Sequence, residues 1–190
     1  MTAHAQTLSL TPEHYTPVEW VERARRVMGG IDLDPASCAE ANRVVRAESY
    51  YTAEVDGLAH GWAKRDLDFG PGGRRLVPSR VFVNPPGDRR GRLPKLFWEK
   101  AALEIERRRA EQMIWLAFNA AHLRTLQHTS GAWLLQQCEV FLPADRIRFT
   151  GDSPTKDSAF LYWGPHRLRF REVFGEAPGL CLAPPMGVTL

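Results

Sequence analysis

The sequence predicts an α/β domain built on a mostly parallel sheet with an antiparallel edge. Three observations predict it. Segments patterned as strands and as helices alternate through the first two thirds of the 190 residues. Two apolar runs, Val81-Phe82-Val83 and Met113 to Phe118, suit strands buried on both faces. The closing third is richer in strand patterns and supplies the antiparallel part. Residues 1–14 read as a polar N-terminal arm, 15–176 as one domain and 177–190 as a Pro/Gly-rich tail.

Each element has its own signal. Thr16 as N-cap and Pro17 as first helical residue open a helix with Trp20, Val21, Ala24 and Val27 at helical spacing, and Gly29-Gly30 ends it. Ile31 to Asp34 alternates like a short strand that Pro35 stops. Ser37 to Arg46 reads as a helix, Tyr50 to Thr52 as a strand and Asp56-Gly57-Leu58 as a turn, with Trp62 nearby. Asp66 to Ser79, rich in Gly, Pro and Arg, reads as a loop before the strand Val81–Val83. A basic loop, Gly87 to Pro94, leads into a helix from Lys95 to Gln112 with Phe97, Trp98, Ala101, Ala102 and Ile105 inward. The strand Met113–Phe118 and a helix over Ala120–His128 follow. Val140–Leu142, Arg146–Thr150 and Ala159–Trp163 read as strands.

The composition is that of an ordinary globular domain, with a net charge of +3. No apolar run is long enough to span a membrane, and Met1 to Leu10 lacks the pattern of a signal peptide. A cytoplasmic protein is expected, in a bacterial or phage-infected host cell. Cys38, Cys138 and Cys181 are scattered with no metal-ligand spacing, so no metal is expected. None follows a proline, which argues against a covalent Pro-Cys nucleophile. Lysine occurs only at positions 64, 95, 100 and 156, and arginine supplies the other cations.

The chemistry concentrates at Asn84-Pro85-Pro86, directly after Val81–Val83. The Asn84 side chain offers a carbonyl acceptor. The residue after it has no N–H, so Pro85 contributes a second carbonyl, and Pro86 stiffens the turn. Two fixed acceptors can hold an exocyclic NH2 group by both hydrogens. They favour the pyramidal geometry in which the nitrogen lone pair becomes nucleophilic. The arrangement suggests methylation of an amino group from a sulfonium donor.

With these pieces in order, the chain resembles the phage-type DNA N6-adenine methyltransferases, Rossmann-like enzymes that use S-adenosylmethionine. The segments that carry the resemblance are Tyr15-Thr16-Pro17-x-Glu19-Trp20-Val21, Gly29-Gly30-Ile31-Asp32-Leu33-Asp34-Pro35-Ala36-Ser37 and Val81–Pro86. Tyr51-Thr52-x-Glu54-x-Asp56-Gly57-Leu58 with Trp62 lies between them. Arg146–Phe149, Ser153-Pro154 and Ala159–Tyr162 lie downstream. The resemblance implies that Asn84 and Pro85 hold the target amine, with Pro86 completing the catalytic turn. It implies that Thr16, with Pro17, meets the carboxylate of the cofactor's methionine. Asp34 would sit near the methionine amine or accept the ribose hydroxyls. Asp32 lies beside it on the same strand, one of the two acids facing the site and the other bracing a loop. Pro35, Ala36 and Ser37 would line the cofactor. Asp56 would accept from its adenine amine or a ribose hydroxyl, and Leu58 would pack on the ring.

DNA is the expected partner. Arg89, Arg90 and Arg92 flank the catalytic turn, and Arg146, Arg148 and Lys156 form a second basic group. Two departures from the family pattern stand out. Gly87 replaces the aromatic residue that many relatives place after the second proline, so base stacking would come from Trp98, Phe97 or Phe149. No Gly-x-Gly turn follows the first strand. Alternatives are the same fold acting on RNA or on a protein glutamine, or a non-catalytic DNA-binding relative. The resemblance implies protection of phage DNA from host restriction.

Overall fold

A computed structural model describes residues 15–66, 75–88, 90–149 and 157–184, and the architecture is α/β with a mixed seven-stranded sheet. The elements are α1 (Val18–Met28), β1 (Leu33–Asp34), α2 (Ala39–Val45), β2 (Ser49–Tyr50), β3 (Lys64–Asp66), β4 (Arg75–Val77) and β5 (Ser79–Val83). Then come α3 (Arg92–Glu106), β6 (Ala110–Ala117), α4 (His122–Leu126), α5 (Ala132–Leu135), β7 (Glu139–Pro143), β8 (Ala159–Trp163), α6 (Arg167–Gly175) and β9 (Gly179–Leu182).

The sheet order is β2-β1-β5-β6-β8-β7-β9. β2, β1, β5 and β6 pair in parallel, whereas β6/β8, β8/β7 and β7/β9 are antiparallel. The antiparallel block is therefore larger than a single edge strand. Alternate residues of the central strands feed two cores. Phe82, Ile114, Leu116, Phe160 and Tyr162 pack with α1 and α6 on one face. Val81, Val83, Met113, Trp115 and Leu161 pack with α3 and the short α4 and α5 on the other.

Helix α1 turns Val21, Ala24, Val27 and Met28 inward, and Gly29 ends it at φ 77° with its N–H on Arg25 O. α1 then leads to β1, which stops at Pro35. Arg108, at φ 54°, turns the chain after α3 so that β6 begins at Ala110. The helix expected to Gln112 is cut short there, because the buried β6 register claims those residues.

Other expectations are corrected too. The stretch Asp66 to Ser79, expected as a loop, contains β4, which pairs antiparallel with β3. Arg146–Phe149 forms no strand: Ile147 and Phe149 anchor it in the core and Arg146 and Arg148 face out. This in/out alternation mimics a strand in sequence. The expected tail contains β9, whose residues 179–182 pair with β7. No described helix is long and apolar enough to cross a membrane, and the described residues form no metal-binding group.

Candidate functional site

Connections from β1 and β5 leave in opposite directions. β1 passes through α2 to β2 on one side, while β5 lies against the other side of β1 and passes through α3 to β6. Such a reversal opens a crevice at the carboxyl ends of the strands. Asp34 is the last residue of β1 and Asn84 directly follows β5, so both stand at that crevice. The chain leaves the same edge of the sheet after β1, β2, β5, β6 and β7, at residues 35, 51, 84, 118 and 144.

Asn84 Nδ2 donates to Thr16 Oγ1 at 3.2 Å. Thr16 is buried, and Pro17 rather than Thr16 occupies the N-cap of α1, with no side-chain cap bond. The Thr16 hydroxyl is thus turned toward the turn after β5 instead of back along its own helix. Pro85 is buried beneath that turn and Pro86 is exposed.

Asp34 is 2% exposed and accepts from Ala36 N at 3.1 Å. Burial pushes its carboxyl up to about 7, against the lowering influence of the Ala36 N–H and the Ser37 hydroxyl. Among the described residues no Lys, Arg or His pairs with it. Tyr51 N donates to Asp34 O at 3.0 Å and Ser37 N to Tyr51 O at 2.9 Å, which ties the end of β1 to the residue after β2.

The Asp56-Gly57-Leu58 turn docks on this end of β1. Asp56, at φ 59°, accepts Leu58 N on Oδ1 at 3.0 Å. A Cβ at Gly57 would come within 1.9 Å of the Pro35 carbonyl oxygen, so only glycine allows the approach. Trp62 fastens the turn from behind. Its Nε1 donates to Gly57 O and its N to Glu104 Oε2, both at 2.9 Å. Glu104 is fully buried and paired with Lys100 at 2.7 Å. Ala36, Tyr51 and Leu58 are half-buried on the same core, giving an apolar wall beside Asp34 and the exposed Asp56. Tyr51 as part of this wall was missed by sequence reasoning. The signal was an aromatic residue directly after the second parallel strand.

The residues after Pro86 are organised by Asp88, also missed. Its Oδ1 accepts Arg90 N (2.8 Å) and Arg92 N (2.9 Å), and its Oδ2 accepts Leu93 N (2.6 Å). Partial burial works to raise the Asp88 carboxyl, but the N–H groups of Leu93, Arg92, Arg90 and Gly91 outweigh it and hold it below the ordinary value. Asp88 thereby satisfies the opening N–H groups of α3. Arg90 and Arg92 are exposed, Arg92 as the first residue of α3 rather than part of the loop. Arg148 is exposed, and Arg146 Nε lies 3.1 Å from Asp157 Oδ1. Arg89 and Lys156 lie outside the described residues.

Two site expectations need correction. Asp32 does not reach the crevice. It accepts Arg80 N at 2.8 Å and the Arg80 guanidinium on both oxygens at 2.9 and 2.6 Å, and it pairs with Lys64 at 2.6 Å. Burial works to raise this carboxyl, but Arg80 and Lys64 bring it to about 2. The Arg80 guanidinium lies over Gly30, at φ 151°, where a Cβ would meet it at 2.9 Å. The Gly-Gly before β1 thus serves this clamp, at the end of β1 opposite the crevice. Trp98 cannot contact DNA. It is fully buried, donates Nε1 to Gly131 O at 2.9 Å and meets Trp115 edge-on at 5.0 Å between ring centres. Phe97 and Phe149 are buried as well, because each lies on the inward face of its segment.

The chain matches no family model and no curated protein.

Proposed function

We propose that the chain is a Rossmann-like, S-adenosylmethionine-dependent methyltransferase that modifies the N6 amine of adenine in DNA. The observation that carries this reading is the Asn84–Thr16 contact at the end of β5, next to the carboxyl end of β1 where Asp34 lies. The fit of the cofactor rests on Asp34. A buried carboxyl with no cation among the described residues calls for outside donors, and a ligand ammonium or ribose hydroxyls would supply them. Ala36, Tyr51 and Leu58 would give the apolar wall for an adenine ring, with Asp56 at its rim. Thr16 would meet a carboxylate at the start of α1. When bound, S-adenosylmethionine supplies an electrophilic methyl group.

Asn84 Oδ1 and the Pro85 carbonyl accept the two hydrogens of the target amine and hold its lone pair ready. The excess proton passes to water. Arg90, Arg92, Arg146 and Arg148, exposed at the same edge of the sheet, grip phosphates.

The test is to count N6-methyladenine by mass after incubating unmethylated duplex and single-stranded DNA with the protein and S-adenosylmethionine. Wild type should make it, and Asn84→Ala should make at least ~10²–10³-fold less. Absence of product on either DNA would sink the adenine reading.

One observation favours a second acceptor class, a protein glutamine amide. Trp98, Phe97 and Phe149 are buried and Gly87 stands in open space, and an amide needs no stacking surface. Methyl on a glutamine peptide with none on DNA would decide for it.

A further inference from the structure

We infer that the outer edge of β9 is a dimer interface, joining two copies of this chain by antiparallel β9–β9 pairing. The inference rests on the sheet and on the sequence of its last strand, and is independent of the methyl-transfer reading.

β9 closes the sheet order, with β7 on one side and no strand on the other among the described residues. An open edge strand presents unpaired N–H and C=O groups, and proteins blunt such edges with lysine, proline or a strand too short to pair. The opposite edge, β2, is two residues long. β9 is four residues long, uncharged and free of proline. Leu180 and Leu182 on it are 55% and 42% exposed. Register places them on the face of Leu142 and Val140, which are half-buried, so the edge continues an apolar strip.

The hydrogen bonds fix which backbone groups face out. Ala144 N donates to Pro178 O at 2.9 Å, one step beyond the Pro143–Gly179 pair. Bonded and non-bonded pairs alternate along an antiparallel ladder. Leu180 and Leu182 therefore bond to β7, while Gly179, Cys181 and Ala183 turn their N–H and C=O groups away from it.

The symmetry of the segment identifies the occupant. Pro178-Gly179-Leu180-Cys181-Leu182-Ala183-Pro184 reads nearly the same in both directions. The prolines lack an N–H and bound the run that can pair, and Cys181 is its centre. Set antiparallel against its own copy with Cys181 on the two-fold axis, Gly179 meets Ala183 and Leu180 meets Leu182. Every outward N–H of the run then finds a carbonyl in the other copy. A two-fold interface must be self-complementary in this way, whereas an unrelated strand would gain nothing from the palindrome. The axis stands normal to the joined sheet, so the two crevices point in opposite directions and neither covers the other.

Sedimentation of the full chain and amide hydrogen exchange test this. Wild type should form a reversible dimer whose fraction rises with concentration, since so short a strand makes a small interface. The amides of Gly179, Cys181 and Ala183 should gain protection as the dimer fills, whereas those of Leu180 and Leu182 should be protected at every concentration. Leu180→Lys should weaken association at least ~10-fold. Ala183→Pro should act in the same direction, because it deletes an outward N–H and leaves the β7/β9 ladder whole. Leu76→Lys, at a leucine on β4 that is also 55% exposed, should leave association unchanged. Far-UV circular dichroism checks that each variant is folded. A wild type that sediments as a monomer throughout would overturn the inference and leave the edge to a strand of another protein. So would a dimer in which the outward β9 amides gain no protection, or one that Leu180→Lys and Ala183→Pro leave as tight as before.

Discussion

Asp32 and Asp34 flank Leu33, are both buried, and live in opposite electrostatic worlds. Asp32, 3% exposed, is held by Arg80 and Lys64 with Glu48 beside them, and its carboxyl sits at about 2. Asp34, 2% exposed, accepts the Ala36 N–H but has no cation among the described residues, and burial pushes it to about 7. The first satisfies every demand of a buried charge from within the chain. The second leaves a demand open at the crevice. Groups arranged for stability close their own hydrogen bonds, and groups arranged for a ligand do not. By that criterion the Asp32 end of β1 is scaffold, and the Asp34 end is where the proposed site lies.

The largest effect should come from breaking the closed end. Asp32→Asn leaves the partly exposed Arg80 and Lys64 charges without their carboxylate, and the fall of that carboxyl from 3.8 to about 2 corresponds to roughly 2–3 kcal/mol. Denaturant unfolding at pH 7 should show that loss, and a change under 1 kcal/mol would end the assignment as a clamp. The pH dependence has a definite sign. The folded carboxyl lies at about 2 against an ordinary 3.8. Its stabilisation is complete above the ordinary value and disappears as pH falls toward 2. Wild type should lose its advantage over the variant across that window.

The open end should answer in the opposite direction. Asp34→Asn removes a carboxyl whose ionisation is disfavoured in the fold, raised from 3.8 to about 7. A raised folded value means stability is greatest below about 4 and declines as pH rises to 7. The variant should therefore match wild type near pH 4 and exceed it at pH 8 by roughly 1–3 kcal/mol, while losing S-adenosylhomocysteine binding. Thermal melts at the two pH values check the first part and calorimetric titration the second. A variant that is less stable than wild type at pH 8 would make Asp34 a structural acid like its neighbour.

This contrast explains what the sequence could and could not reveal. Val81–Val83 and its Asn-Pro-Pro exit were legible, because a buried apolar run and a proline stop act locally. So were α1 and its Gly29 cap. The division of labour between Asp32 and Asp34 was not legible, since it depends on Arg80 and Lys64, which are remote in the chain. Trp98 carried two readings: helical spacing set it inward, which its packing on Trp115 and Gly131 bears out, whereas the expectation that it contacts DNA came from its place after the basic loop and fails against that packing. The Arg146–Phe149 alternation reads as a strand, yet the segment joins no sheet and uses the alternation to anchor a loop through Ile147 and Phe149. α6 did carry a signal, Phe170, Val173 and Phe174 at helical spacing after Gly164-Pro165. The ribbon β3/β4 carried almost none, being three residues on each strand.

The smallest structural effect should come from Gly87, at the open end, and it tests where the acceptor base lies. A Cβ there meets nothing within 4 Å, and the backbone does not require glycine. Gly87→Tyr should therefore change stability by no more than about 0.5 kcal/mol. If a flipped adenine rests above Asn84, the new ring gains a stacking partner, and base–aromatic stacking contributes roughly 1–3 kcal/mol. Even the lower figure predicts a rise of about fivefold in DNA affinity with kcat little changed. The gain should be larger on duplex than on single-stranded DNA, because stacking offsets the cost of unstacking the base. A glutamine acceptor would gain nothing from the ring and could lose access. An unchanged DNA affinity, with the melting temperature preserved, would therefore move the acceptor away from Gly87 and weaken the nucleobase reading without touching the assignment of Asp32 and Asp34.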